Sequence, residues 1–174
     1  MFIQYLVGLA VVKACRDVTG ALSAGGVDVV LKWPNDIYAR TKGPKGEVVL
    51  QKIGGILVNT VFMAGGVRVV VGQFVTMSLF CETDMLTGCG LNVLNAPPIL
   101  SLSQLLSKGT QGLTMENMTA TIMAIFGQMW EQFVAVSGSF EPFIEDYLDS
   151  WIHSYVLSVL VYLLVPNLHI VTSS

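Results

Sequence analysis

A strand that runs into Lys32-Trp33-Pro34-Asn35-Asp36 constrains this chain more than any other feature in it. Residues Val27 to Trp33 are largely β-branched and apolar. Pro34 lacks a backbone donor and fixes φ, so the strand is expected to end at Trp33. Ile37 to Arg40 start a second strand, and Thr41-Lys42-Gly43-Pro44-Lys45-Gly46-Glu47 has the polar, Gly/Pro-rich character of a surface hairpin. Val48 to Met63 return as a strand carrying Gly54 and Gly55, and Ala64-Gly65-Gly66 turn the chain into Val67 to Val71. Successive antiparallel strands follow from this punctuation.

The flanking segments read as helices. From Phe2 to Val18 the chain is apolar nearly all round, broken mainly by Gln4, Lys13, Arg16 and Asp17, which suits a helix packed against a sheet; Gly20 to Gly26 end it. Beyond a turn at Asn95 to Pro98, Ser101-Leu102-Ser103-Gln104 has the form of a capping box opening a short helix, closed by Lys108-Gly109. Thr114 can cap a longer helix from Met115 to Val136, in which Met118, Ile122, Ile125, Phe126, Met129 and Phe133 recur at helical spacing as a core face does. Ser137-Gly138-Ser139 break it. Phe140 to His153 read as a last helix whose acids, Glu141, Glu145, Asp146 and Asp149, form a solvated face. One α+β domain, a mixed and mainly antiparallel sheet packed against helices, accommodates 174 residues.

Charge and composition narrow the function classes. Charged residues make up 12% of the chain, about half the usual share, and the net charge of −3 supplies no field for a phosphate backbone, so nucleic-acid binding is not expected. Cys15, Cys81 and Cys89 form no CxxC pair and no even disulfide framework, which implies reduced thiols in an intracellular protein, with a cytoplasmic location expected and an organelle as the alternative. His153 and His169 lack neighbours at metal-ligand spacing, so no transition-metal site is expected. Leu6 to Val12 imitates the core of a signal peptide, but Lys13 and Arg16 follow where a cleavage site should lie. Tyr155 to Val171 is apolar yet interrupted by Pro166, Asn167 and His169 before it reaches the roughly 20 residues that span a bilayer. It is expected to be an aberrant tail rather than an anchor.

Three segments stand apart from packing sequence. Lys32 to Asp36 presents a cation, an amide and a carboxylate where a strand stops, which suits phosphate and magnesium; an Asx-type turn with a satisfied lysine is the plainer alternative. Lys52-Ile53-Gly54-Gly55-Ile56-Leu57 brings a lysine to a strand with two glycines, the mark either of close approach by a ligand or of a β-bulge with an exposed lysine. Gly88-Cys89-Gly90-Leu91-Asn92-Val93 spaces two glycines before an asparagine able to read a base edge, or simply makes a tight turn at a strand end.

In this order, KWPND, KIGGIL and GxGxN resemble the central motifs of the biotin protein ligases, or holocarboxylase synthetases. The QYLVGLAVVKACR helix, the PPILSLSQLL stretch and the FEPF…YLDSWIHS ending resemble the eukaryotic branch. The resemblance covers about residues 2 to 72 and 88 to 154, and it implies a class II synthetase-like fold. It further implies a ligase that activates biotin with ATP to biotinyl-AMP and passes biotin to a lysine of a biotin carboxyl carrier domain. Carried over by similarity, Lys52 would lie between the biotin carboxylate and the α-phosphate, with Asn35 and Asp36 at the polyphosphate and Mg2+ positions and Lys32 in support. Gly54, Gly55 and Leu57 would pack along biotin, and Gly90 and Asn92 would sit against the adenine.

The departures from that pattern are expectations too. The family's GRGR-like loop should precede the first helix, so the chain is expected to be a partial catalytic domain over residues 1–154 with impaired activity, and to act as a monomer. Gln73 to Gly88 interrupts the family's direct run from a strand such as VRVVVG into CGLNV; it is expected to be an insertion forming no element of the core. Residues 155–174 stand where the family has a small C-terminal domain. A lipoate or octanoate transferase of the same fold is the nearest alternative activity, against which Trp33-Pro34 argues, and an inactive or binding-only remnant is the other alternative.

Overall fold

The computed structural model describes residues 2–24, 26–59, 67–71, 75–79, 86–107 and 110–152, and for residues 57–88 only the backbone course of those it includes. The fold is α+β. Helix α1 (Ile3–Leu22) leads into β1 (Val29–Lys32), β2 (Asp36–Lys42), β3 (Val48–Asn59), β4 (Val67–Val71), β5 (Val75–Leu79) and β6 (Leu86–Leu91). A short helix α2 (Leu102–Leu105), the long α3 (Met115–Ala135), a 3-10 turn over Glu141–Phe143 and α4 (Ile144–Ser150) follow. The strands form one sheet in the order β1-β2-β3-β6-β4-β5. All neighbours are antiparallel except β4 and β6, which are parallel.

Helix α1 is the centre of the core. It touches β1, β3 and β6 on one side and α3 and α4 on others, which is why its sequence is apolar nearly all round rather than on one stripe. Leu6, Leu9, Ala10, Val11, Val12, Ala14 and Cys15 are fully buried in it. It does not stop at Gly20 as the glycines suggested; it runs to Leu22 and is closed by Ser23 N–H donating to Thr19 O. Thr19 fixes the exit: its hydroxyl donates to Cys15 O at 2.6 Å and accepts from Val27 N–H at 2.9 Å. At the other end of the sheet layer, Ile152 N–H donates to Leu31 O at 3.1 Å, so the segment after α4 covers the free edge of β1.

Helix α3 begins where its cap was expected, with Thr114 Oγ1 accepting from Asn117 N–H at 3.1 Å, and it buries Met118, Ile122, Phe126 and Met129. The capping box at Ser101 is a correction. Ser101 occupies the N-cap position of α2, but its hydroxyl donates to Asn95 O, and the Gln104 amide donates to Ser101 Oγ, Asn95 O and Ile99 O. That network ties the Asn95–Pro98 turn to the helix rather than closing the helix start on itself. The last helix is shorter than expected: Pro142 sits in the 3-10 turn, and α4 proper spans only Ile144–Ser150. Its acids are exposed, two of them paired with α1: Asp146 with Lys13, and Asp149 with Arg16 at 3.9 Å.

Two further expectations change. The strand from Val67 lies beyond β6 and parallel to it, not hairpinned onto β3, and the turn placed at Ala64-Gly65-Gly66 falls outside the described residues. The Gln73–Gly88 stretch also contributes elements: β5 pairs with β4 at the sheet edge, and Leu86 to Gly88 form the first half of β6 against Asn59 to Leu57. His153, His169, Cys81 and the apolar stretch at 155–174 lie outside the described residues. No described helix is long and apolar enough to cross a membrane.

Cys15 and Cys89 are both buried, and that burial pushes the Cys89 thiol up to about 12 and raises that of Cys15 as well. Since the thiolate is the reactive form, neither should react with iodoacetamide at pH 8 in the folded chain. Peptide-resolved labelling checks this, with prompt modification of either before unfolding as the contrary result.

Candidate functional site

The turn that ends β1 and the strand β3 build the site between them. Trp33, Pro34 and Asn35 form the turn, with Trp33 52% exposed, and Asp36 opens β2. Asn35 locks this turn to β3 twice: its side-chain amide donates to Ile56 O at 2.9 Å, and its carbonyl accepts from Ile56 N–H at 2.7 Å. The same hydrogen bonds leave the Asp36 carboxylate projecting beside β3, where it meets Lys52 Nζ at 2.5 Å.

A register shift makes that meeting part of a larger constellation. Lys52 and Gly55 are three residues apart, so a regular strand would place them on opposite faces. Here Tyr38 pairs with Lys52 while Ile37 pairs with Gly54, leaving Ile53 without an opposite residue. Ile53 is fully buried, and the alternation beyond it is inverted. A Cβ on Gly55 would accordingly stand 3.4 Å from Asp36 Oδ1 and 3.9 Å from the Lys52 side chain, on the Lys52 side of the sheet. The bulge and exposed lysine weighed for KIGGIL are thus present, and they are the means by which cation, carboxylate and bare backbone share one face.

The glycines serve two purposes. A Cβ at Gly54 would come within hard contact of the Gly90 carbonyl, so Gly54 is required for β3 and β6 to pair as closely as they do. Gly55 and the exposed Gly90 instead leave uncovered backbone at the site, with Gly90 opposite Gly55 in the register. Asn92 is placed by backbone hydrogen bonds: its N–H donates to Ile53 O at 2.8 Å, and its carbonyl accepts from Leu102 N–H at 2.9 Å. Lys32, half-buried at the end of β1, lays its ammonium 5.3 Å from the centre of the Tyr38 ring. Leu57 lies in β3 opposite Gly88; its side chain is outside those described.

The structure therefore brings Asn35, Asp36, Lys52, Gly55 and Gly90 directly together, sets Lys32 beside the same turn, and attaches Asn92 through the backbone of Ile53. Lys52 is 53% exposed and Asp36 27% exposed, so the pair is accessible rather than sealed as a core salt bridge. Such an exposed pair contributes little to stability. A paired cation and carboxylate beside bare backbone can instead hold an anion and the metal ion that accompanies it. Among the described residues no three His, Cys, Asp or Glu side chains converge on one point. One residue of the site escaped the sequence reading: Gln4, noted only as a polar break in α1, donates from its amide to Pro34 O at 2.7 Å.

Residues 1–75 match the model of the Biotin/lipoate A/B protein ligase family. The chain is 30% identical over 154 residues to "Biotin--protein ligase 1, chloroplastic" of Arabidopsis thaliana, an alignment covering 87% of this chain and 35% of that protein. It is 26% identical over 164 residues to "Biotin--protein ligase" of Schizosaccharomyces pombe, covering 87% of this chain and 22% of the relative. With "Biotin--protein ligase" of Homo sapiens it shares 32% identity over 108 residues, 62% of this chain and 11% of the relative. The chain thus spans between about a tenth and about a third of the length of these relatives.

Proposed function

We propose, with the place of residues 1–75 in the Biotin/lipoate A/B protein ligase family as the premise, that this chain carries the wall of a site at which biotin is activated by ATP. The observation that carries the reading is the Lys52–Asp36 pair standing over the uncovered backbone of Gly55. In the reaction a biotin carboxylate oxygen attacks the α-phosphorus, the bond to pyrophosphate breaks, and biotinyl-AMP and pyrophosphate result. An amine of the acceptor lysine then attacks the acyl carbonyl and AMP leaves. The first step joins two anions, so it needs charge neutralisation and positioning more than a covalent nucleophile.

Each residue has a part in this reading. Lys52 supplies positive charge where carboxylate and phosphate meet, and Asp36 holds its ammonium forward in the meantime. Gly54 and Gly55 let biotin lie against β3, with Leu57 further along the strand. Gly90 and Asn92 face the adenine, and Lys32 adds to the field at the turn. The fit to Mg2+ is that of a single carboxylate, Asp36 beside Asn35: too few donors for a protein cage, and suited to an ion that keeps its waters and arrives on the polyphosphate. Bound there, the ion would neutralise the departing pyrophosphate. The acceptor on this reading is a biotin carboxyl carrier domain.

The test is the mass of a purified carrier domain after incubation with ATP and either biotin or lipoate, in a ligase carrying this region. A biotinyl mass gain on its lysine is expected, and gain of lipoyl instead would assign the site to the other branch of the family.

A further inference from the structure

Gln4 is a half-buried polar residue in a helix whose neighbouring side chains are almost all core. The surroundings of the helix start fix where that amide points. Phe2 stacks on Phe140 at 5.4 Å between ring centres and Tyr5 meets Tyr147 edge-on at 5.3 Å, so aromatic rings on both sides of Gln4 anchor the first turn of α1. One turn on, Gly8 lies on the same side of the helix as Gln4. A Cβ there would be 3.1 Å from Ile56 Cδ1 and 3.3 Å from Leu31, so a glycine lets α1 lie close against the strand ends that flank the site. From that position the Gln4 amide reaches the carbonyl of Pro34 at 2.7 Å.

The turn is consequently held from two sides, by Asn35 on Ile56 of β3 and by Gln4 on α1. Both anchors fall within two residues of Asp36, the carboxylate that holds Lys52. Gln4, Lys32, Asn35 and Asp36 also line one small hollow. We infer that Gln4 is a positioning residue for the reaction: by clamping the Pro34 carbonyl it sets where Asn35 and Asp36 are presented, and through Asp36 where the Lys52 ammonium stands. This rests on the reading of the site given above.

The test uses Gln4→Leu, which keeps much of the side-chain bulk and removes the donor, and Gln4→Glu, whose carboxylate at neutral pH faces a carbonyl it cannot donate to. The net worth of one neutral hydrogen bond corresponds to about a five- to tenfold effect. Hydrogen–deuterium exchange over residues 33–38 should speed up by about that factor in both variants, with exchange in α3 unchanged. Biotin-dependent adenylation should fall by a similar factor in kcat, with KM for biotin within about twofold of its original value, and more in Gln4→Glu than in Gln4→Leu. A role confined to stability would instead lower the melting temperature and leave the kinetic constants of the folded enzyme alone. Unchanged exchange over 33–38 overturns the inference, as does faster exchange with unaltered kcat. A parent ligase that adenylates lipoate and not biotin would refute the biotin reading, while the exchange data would still decide whether Gln4 holds the turn.

Discussion

Replacing Lys52 by alanine in a ligase carrying this region is expected to leave the fold intact and to lower biotinyl-adenylate formation by about 10² to 10³. The fold should survive because the Lys52 side chain is 53% exposed and its partner is a surface carboxylate, and pairs of that kind contribute at most about 1 kcal/mol. The reaction should not survive at its original rate, because the ammonium is the one charge that the register shift in β3 delivers to the face occupied by Asp36 and Gly55. Lys52→Met is a sharper version of the same test, since it keeps the stem and removes only the charge. Single-turnover adenylation with circular dichroism of the same samples checks both halves. Near-normal adenylate formation in the variant would remove Lys52 from the reaction.

Gly54→Ala and Gly55→Ala should have opposite phenotypes although the two residues are adjacent. At Gly54 the added methyl would collide with the Gly90 carbonyl, a backbone atom of the next strand that can move only if β3 and β6 part. Overpacking of this kind costs about 1–3 kcal/mol, and in a chain of this size each kcal/mol lowers the melting temperature by about 2–4 °C. At Gly55 the methyl would find ordinary contact distances, 3.4 Å to Asp36 Oδ1 and 3.6 Å to Asn35 O. Stability there should change by no more than about 0.5 kcal/mol. The methyl would nevertheless occupy the face on which biotin is proposed to lie, so the ligand should bind more weakly. Thermal melts and biotin titrations of the two variants separate these effects. A stable Gly54→Ala, or a Gly55→Ala that melts early while still binding biotin normally, would contradict the assignment of one glycine to packing and the other to the site.

The parts of this fold that could be read directly from sequence are those where punctuation and periodicity agree. Pro34 stops β1, Gly43 to Gly46 mark the hairpin, and Thr114 followed by an i, i+4 apolar series gives α3 nearly to the residue. The pairing of strands distant in sequence was not legible, because β4 and β6 lie side by side for reasons of register that no local pattern encodes. Gly20 misled as a helix stop, since a Cβ there would meet nothing, and it was Thr19 that governed the exit. In the site, the residue types in KWPND and KIGGIL marked out Asn35, Asp36, Lys52 and Gly55, which the fold brings together. The bulge at Ile53 was visible only as an alternative to it, when in fact the bulge is what turns Lys52 and Gly55 to the same side. Gln4 could have been suspected from a lone amide one turn before a glycine on an apolar helix, but its partner, Pro34 O, is 30 residues away.

Biotin-dependent exchange of labelled pyrophosphate into ATP, measured beside lipoate and octanoate, tests the proposed role of this site most directly. It should be run on this chain and on a chimera placing residues 2–152 behind the corresponding upstream segment of the Arabidopsis relative. The expected result is exchange that requires biotin, is not supported by lipoate or octanoate, and is lost with Lys52→Ala in whichever protein shows it. Exchange driven by lipoate, exchange indifferent to Lys52, or no biotin-dependent exchange in either protein would contradict the claim that Asn35, Asp36 and Lys52 form the wall at which biotin is activated.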